Sequence, residues 1–169
     1  MIAILMGVCG CGKTTIGRAL AQELGWPLLD ADDFHPPTNV AKMAAGTPLV
    51  DDDRWPWLDR LADEMRAIHA RGGNAVVACS ALKQVYRDRL RAWAVTAGDV
   101  RFVYLDGDYA TIAARLAARR HRYMPATLLA SQFAALEPPT DAIVVDIRTP
   151  IAQQVATIRA ALRPSLVTP

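Results

Sequence analysis

Lysine, histidine and cysteine are scarce in this sequence, with three of each among 169 residues. Cys9 and Cys11 lie too close together in the chain to form an ordinary disulfide, and with Cys79 they do not make a spacing typical of a disulfide framework. The sequence therefore excludes a secreted disulfide framework and favours a reducing compartment. Three scattered histidines also provide no metal-binding set.

Long charged runs and long apolar runs are also missing. The formal net charge is +2 and no run of five or more like charges occurs, which argues against a nucleic-acid-binding arm or a polybasic membrane patch. The apolar stretch Ile2–Met6 is too short for a signal peptide, and no segment approaches the length of a membrane span. We therefore expect a cytoplasmic protein with small partners and without nucleic acid or membrane.

The scarcity of lysine contrasts with sixteen arginines. Lys13, Lys42 and Lys83 are therefore candidates for positions that need lysine itself, because an ammonium is a compact charge that suits a single phosphoryl or hydroxyl oxygen. Chance is the alternative for Lys42 and Lys83. For Lys42, on a predicted helix, a surface ion pair is a second alternative.

Predicted strands and helices alternate along the whole chain. The apolar patterns and the glycine and proline positions predict strands at 2–6, 28–30, 75–79, 100–105 and 142–146, and helices at 13–24, 55–70, 82–94, 109–119 and 151–162. Such alternation predicts an α/β fold, with a five-stranded parallel sheet between two layers of helices and ligands at the carboxyl ends of the strands. We expect one domain over residues 1–169, ending in a flexible tail at 163–169.

A phosphate-binding signature lies between the first predicted strand and the first predicted helix. Gly7, Val8, Cys9, Gly10, Cys11, Gly12, Lys13 and Thr14 match G-x-x-x-x-G-K-[ST], and the candidate nucleotide site extends to Thr15. Backbone N–H groups would surround phosphates, Lys13 would reach the β- and γ-phosphates, and Thr14 would place its hydroxyl on Mg²⁺. Kinases, GTPases and motors share this loop, but no N-K-x-D guanine signature occurs.

Acidic residues follow the second predicted strand. Alternation along an extended segment would place Asp30 and Asp32 on the same side. One carboxylate would then hold Mg²⁺, with Asp30 as the candidate, and the other would accept a proton from an attacking hydroxyl, with Asp32 as the candidate. The pattern leaves the two roles interchangeable. Helix capping by Asp32 or Asp33 is the alternative.

The segment from residue 29 to 58, LDADDFHPPTNVAKMAAGTPLVDDDRWPWL, resembles the gluconokinase family. Similar blocks follow at residues 79–83, 86–88, 102–105, 124–133, 136–139 and 144–146, so the resemblance covers nearly the whole chain. It implies ATP- and Mg²⁺-dependent phosphorylation of D-gluconate at its terminal hydroxyl, giving 6-phosphogluconate. It also implies a fold like that of nucleoside monophosphate and shikimate kinases, a helical lid and a homodimer.

The resembling blocks contain the residues expected to bind a sugar acid. Gluconate offers one carboxylate and a row of hydroxyls, so its pocket needs cationic donors and acceptors, and these blocks supply Asp32, His35, Arg54, Lys83 and Arg87. An ion pair with an aspartate at 51–53 is the alternative for Arg54. A structural role is the alternative for His35.

Arginines cluster just before Pro125 and predict a lid over the nucleotide at about residues 119–138. Arg119 or Arg120 would stabilise charge during phosphoryl transfer, and Arg115 is a further nucleotide candidate. A solvated helix face is the alternative. Where the family usually has Gly-His-Phe, this chain has His121, Arg122 and Tyr123, so no family role is carried over to His121 or Arg122.

The two cysteines of the glycine-rich loop have alternative interpretations. Cys9 and Cys11 stand where the family commonly has serine, so they are interpreted mainly as serine substitutes, although a thiol at a helix N-terminus can have a lowered pKa and oxidise readily.

A shikimate kinase would need a glycine triplet where residues 79–81 read Cys-Ser-Ala. A nucleotide-binding module without turnover would need neither Asp32 nor the substrate-side cations.

Overall fold

Five parallel strands form the centre of the protein. The computed structural model describes residues 1–118 and 126–162. The strands are β1 (Ile2–Met6), β2 (Leu28–Asp30), β3 (Ala75–Ala78), β4 (Val100–Asp106) and β5 (Ile143–Asp146), in the order β2-β3-β1-β4-β5. All neighbouring pairs are parallel, which confirms the predicted sheet.

Helices cover both faces of this sheet. Within the described residues they are α1 (Lys13–Leu24), α2 (Pro37–Ala44), α3 (Asp51–Ala70), α4 (Gln84–Arg91), α5 (Tyr109–Ala117), α6 (Ala126–Ala135) and α7 (Ile151–Leu162), with a short 3₁₀ turn at Ala31–Phe34. One core cluster contains Leu20 of α1 and Ile158 of α7. The other contains Leu61 of α3 and Leu90 of α4. The predicted three-layer arrangement is confirmed.

β1 is the middle strand and is buried over its whole length. Its alternate residues enter different clusters: Leu5 lies in the cluster with α1 and α7, and Ile4 lies in the cluster with α3 and α4. A parallel strand covered on both faces needs apolar residues at every position, and β1 has them. Its carboxyl end therefore delivers the glycine-rich segment to the centre of the ligand-binding edge.

Several boundaries differ from the predicted ones. α3 begins at Asp51 rather than at residue 55, and Pro56 lies inside the helix rather than in its first turn. The aspartates at 51–53 fall in the first turn, where negative charge is favourable, and the Asp53 carboxylate accepts the Val50 N–H at 3.0 Å. α4 is shorter than predicted because Lys83 stays extended before it.

Parts of two predictions fall outside the described residues. They are residues 119–125 of the predicted lid, including Arg119, Arg120, His121 and Arg122, and the predicted tail at 163–169. α6 occupies much of the remaining lid range. No helix in the described part of the chain is long and apolar enough to cross a membrane.

Candidate active site

The glycine-rich loop after β1 has the backbone shape that an anion needs. Gly7, Gly10 and Gly12 have φ angles of 135°, 89° and 110°, which favour glycine. At Gly10 a β-carbon would also come within 2.9 Å of the Leu116 side chain. Within residues 1–118 and 126–162 no side chain caps the N-terminus of α1 at Gly12, so the backbone N–H groups of the first turn are available to a phosphate.

Lys13 folds back over the first half of this loop. Its ammonium donates to the carbonyl oxygens of Gly7 at 3.0 Å and Val8 at 3.1 Å. The loop is joined to the turn after β3 because the Gly7 N–H donates to the Ser80 carbonyl at 3.2 Å. Lys13 is thus held at the mouth of the loop, in reach of a bound phosphate chain.

Thr14 and Asp30 meet in front of this loop. The Thr14 hydroxyl donates to one Asp30 carboxylate oxygen at 3.3 Å, and the other oxygen accepts the Asp32 N–H at 3.2 Å. Mg²⁺ prefers oxygen ligands and keeps several waters when it binds nucleotide phosphates. A hydroxyl and a carboxylate that converge beside a phosphate-binding loop fit such an ion.

Asp32 lies on the 3₁₀ turn directly after β2. The expectation that Asp30 and Asp32 alternate along one strand is wrong, because β2 ends at Asp30. Helix capping by Asp32 or Asp33 is wrong as well, since the residue that caps the turn is Asp30. The turn leaves Asp32 exposed beside Asp30 at the ligand-binding edge.

His35 is half-buried against an aromatic ring. Its imidazole stacks on Trp57 with a centroid separation of 4.2 Å and an angle of 18°. Asn39 approaches the His35 Nδ1 atom at 3.4 Å and donates to the Asp53 carbonyl at 2.7 Å. Burial lowers the pKa of His35, so the ring is neutral at pH 7. These contacts supply a structural role, and contact with a substrate stays a prediction.

Asp51, Arg54, Lys83 and Tyr86 form a charged cluster between the start of α3 and the start of α4. The Lys83 ammonium donates to both Asp51 carboxylate oxygens at 2.9 Å, and the Tyr86 hydroxyl donates to the same carboxylate at 2.5 Å. The hydrogen bond from Tyr86, followed by that from Lys83, lowers the pKa of Asp51. The bond to Asp51 raises the pKa of Lys83. Asp51 and Lys83 therefore form a charged pair at neutral pH.

Arg54 belongs to the cluster without an ion pair to a neighbouring aspartate in the described residues. It donates to the Leu49 carbonyl at 3.1 Å and lies 5.7 Å from the centre of the Tyr86 ring. Its Nε atom is buried and has no hydrogen-bond partner within the described part of the chain. Two of the three aspartates expected to pair with Arg54 are paired with lysines, since Lys42 pairs with Asp53 and Lys83 with Asp51.

The side chain of Arg87 is buried against the turn that precedes its own helix, α4. Only 1% of the residue is exposed, and its guanidinium donates to the carbonyls of Ala81 at 3.0 Å and Leu82 at 2.9 Å. Ala81 has a φ of 42°, so this turn needs such support. The prediction that Arg87 binds substrate finds no support in these contacts. The guanidinium instead fixes the turn that presents Lys83.

Cys11 and Cys79 do not have the electrostatics expected of reactive cysteines. Burial raises the pKa of Cys11, and burial raises the pKa of Cys79 to about 12. Both side chains are 1% exposed. The hypothesis of a lowered thiol pKa is therefore wrong for Cys11 and Cys79, and both behave as small buried side chains.

Two contacts bring distant parts of the chain to this edge. The Arg115 guanidinium, a nucleotide candidate, donates to the Ile147 carbonyl at 2.6 Å. The Cys9 N–H donates to the side-chain oxygen of Gln132 on α6 at 2.6 Å. Gln132 was not among the predicted site residues, nor were Asp51 and Tyr86. The resemblance over residues 124–133 and at 86–88 was the only signal for Gln132 and Tyr86.

Known proteins similar to this chain agree with the geometry. The AAA domain family matches residues 2–139. The thermosensitive gluconokinase of Escherichia coli K12 is 44% identical over 94% of this chain and 86% of that protein, and a gluconokinase of Gluconobacter oxydans is 46% identical over 82% and 76%. A crystal structure of a gluconokinase from Sinorhizobium meliloti 1021 aligns with a TM-score of 0.84 at 40% identity, over 95% of this chain and 90% of that one. A shikimate kinase from Aquifex aeolicus, at 16% identity and a TM-score of 0.56, shares the fold alone.

Proposed function

Because this chain belongs to the gluconokinase family, we propose that it transfers the γ-phosphoryl group of ATP to the terminal hydroxyl of D-gluconate. The products are ADP and 6-phosphogluconate. The observation that carries this proposal is the meeting of three groups at the carboxyl ends of β1 and β2, on either side of β3: the glycine-rich loop with Lys13, the Thr14–Asp30 pair, and exposed Asp32. Phosphoryl transfer to an alcohol needs these elements together.

The proposed chemistry conserves atoms and charge. A bond forms between the acceptor hydroxyl oxygen and the γ-phosphorus, while the bond from that phosphorus to the bridging oxygen breaks and leaves its electron pair on ADP. The hydroxyl proton passes to the Asp32 carboxylate. Lys13 and the loop amides offset the negative charge on the phosphates, since preorganised donors at such a position stabilise the transition state.

We propose that Thr14 and Asp30 hold Mg²⁺, Thr14 directly and Asp30 through water. Their oxygens already lie 3.3 Å apart. Such an ion would supply positive charge to offset the negative charge that develops on the phosphates during transfer. The assignment also gives Asp30 and Asp32 separate roles: Asp30 is engaged by Thr14 and the turn, which leaves Asp32 as the base.

The acceptor is proposed to lie between Asp32 and the charged cluster. Lys83 and Arg54 supply the cations for the gluconate carboxylate, and the unpartnered buried Nε of Arg54 supports this assignment. Asp32 and Arg54 are also the charged groups that act on His35. We propose that His35 contacts a sugar hydroxyl in this space.

Further assignments rest on the family and on general chemistry. We propose that Arg119 or Arg120 stabilises the transferred phosphoryl from a lid at about residues 119–138, and that Arg115 borders the nucleotide. We also propose a homodimer, which light scattering after gel filtration would test. Three free cysteines support a cytoplasmic location.

The proposed function is tested by a coupled ADP-release assay over gluconate, other sugar acids, shikimate and nucleoside monophosphates. Gluconate should give the highest kcat/KM. Turnover of shikimate with gluconate inert would overturn the assignment. ATP binding without turnover of any acceptor would favour the nucleotide-binding module.

A further inference from the structure

Gln132 joins α6 to the glycine-rich loop. Its side-chain oxygen accepts the Cys9 N–H at 2.6 Å, across 123 positions of sequence. Because a backbone N–H can only donate, the atom facing Cys9 must be the oxygen of the Gln132 amide. The amide group is planar, so this one bond also fixes the direction of its NH₂ group.

The contact lies at the same part of the loop as Lys13. Lys13, which serves the β- and γ-phosphates, rests on the carbonyls of Gly7 and Val8. The Val8–Cys9 peptide is trans, because the described residues contain no cis peptide bond, so its carbonyl and its N–H point in opposite directions. Lys13 therefore lies on one side of this peptide and Gln132 on the other, and the two flank the same part of the loop.

The NH₂ group of Gln132 is left to act on a ligand. A glutamine amide has one acceptor oxygen and two N–H donors. The oxygen is engaged by Cys9, whereas no acceptor for the Nε2 donors occurs among residues 1–118 and 126–162. The residue is half-buried. An oriented amide donor beside a phosphate-binding loop is suited to a phosphoryl oxygen.

We propose that Gln132 binds the γ-phosphoryl group of the nucleotide, with its oxygen held by the Cys9 N–H and its Nε2 group donating to a non-bridging phosphoryl oxygen. This inference rests on the proposed function only in that ATP is the phosphoryl donor. It adds to the site a residue that touches the transferred group and that lies far from the glycine-rich loop in sequence.

The test compares binding of MgATP and MgADP by titration calorimetry, without any acceptor, in wild type, Gln132→Met and Gln132→Glu. Loss of a hydrogen bond to a charged group predicts about 10-fold weaker ATP binding in Gln132→Met, with ADP affinity unchanged because ADP lacks the γ-phosphoryl. Gln132→Glu keeps an oxygen for the Cys9 N–H but places negative charge beside the phosphates. Its ATP affinity should therefore fall further, and kcat with gluconate should fall in both variants while the KM for gluconate stays constant.

Ser131→Ala is the matched control, since the Ser131 hydroxyl donates to the Leu128 carbonyl within the same helix. It should leave both affinities unchanged, and thermal unfolding of each variant without ligand checks its fold. Equal losses for ATP and ADP would mean that Gln132 only shapes the loop and would overturn the inference. Full ATP affinity in Gln132→Glu would show that only the acceptor oxygen matters, with the same consequence.

Tighter ATP binding in Gln132→Met would also overturn the inference, because Gln132 would then occupy a phosphate position that the nucleotide must clear. The calorimetric comparison needs no acceptor, so it separates this inference from the proposed function. A chain that distinguishes ATP from ADP through Gln132 but does not phosphorylate gluconate would retain the inference and lose the function.

Discussion

The glycine-rich loop and the charged cluster lie on the same edge of one sheet, but they are built by different means. The loop is a contiguous segment whose shape comes from glycine backbone angles and from the end of a buried strand. The cluster is assembled from side chains of α3, of α4 and of Lys83 just before α4, and in it a lysine and a tyrosine share one carboxylate. The backbone N–H groups at the start of α1 are therefore open to a ligand as they stand, whereas the Lys83 cation of the second site is held in place by internal partners.

The largest expected effect comes from the loop itself. Lys13→Ala should lower kcat/KM for gluconate on the order of 1000-fold, because the cation at the β- and γ-phosphates is lost. Lys42→Ala is the matched control, since Lys42 pairs with Asp53 on the surface and should change turnover little. ADP release measures both variants. A Lys13→Ala enzyme with near-normal turnover would show that the loop has no part in the reaction.

The next effect tests the carboxylate that lies between the two regions. Asp32→Asn should lower kcat by about 100-fold or more, because an amide cannot take the hydroxyl proton. ATP affinity, measured by calorimetry, should remain. Asp33→Asn is the neighbouring control on the same exposed turn and should stay active. Loss of activity in Asp33→Asn with Asp32→Asn active would reverse the assignment.

A smaller effect is expected within the charged cluster. Asp51→Asn removes the carboxylate that holds Lys83 and Tyr86. The KM for gluconate should rise roughly fivefold, the size expected when an exposed ion pair no longer fixes a lysine, and the KM for ATP should not change. Steady-state kinetics with each substrate varied in turn measures this. A lower KM for gluconate would instead show that Asp51 competes with the substrate for Lys83.

The smallest effect concerns His35 and pH. Its pKa is lowered by burial from its ordinary value of 6.5, so the unfolded chain takes up the proton first as pH falls. Stability is then lost as pH drops below 6.5 towards the lower folded pKa, and it is fully present at higher pH. Between pH 7.5 and pH 5 the unfolding midpoint of wild type should fall more than that of His35→Gln, by about 1–3 °C. Parallel curves would contradict this.

Local patterns made the loop and the sheet predictable. Glycine spacing and the adjacent apolar strand specify the loop within a few residues, and alternation of strands and helices specifies a parallel sheet. The periodicity of the sequence does not determine which aspartate pairs with a given lysine. The Lys83–Asp51 pair, 32 positions apart, could therefore not be predicted from it. The start of α3 was predicted too far along the chain because proline is common in the first turn of a helix, whereas Pro56 lies inside this one.

Gln132 shows the limit most clearly. Its partner, Cys9, is 123 positions away, and the contact depends on how α6 packs after a segment that no local pattern positions. The sequence resemblance placed Gln132 within a similar block without giving it a role. The fold brings it to the loop.

The burial of Arg87 has a practical consequence for protein engineering. Its guanidinium binds the turn after β3, and the first N–H of α4, that of Gln84, donates to the Glu137 carboxylate beyond α6. The turn that presents Lys83 is therefore shaped by a helix and by a distant acidic residue. To transfer acceptor specificity between related enzymes, residues 79–91 and position 137 should be exchanged together. A single substitution would place one side chain of the donor enzyme on a turn that still has the recipient's shape.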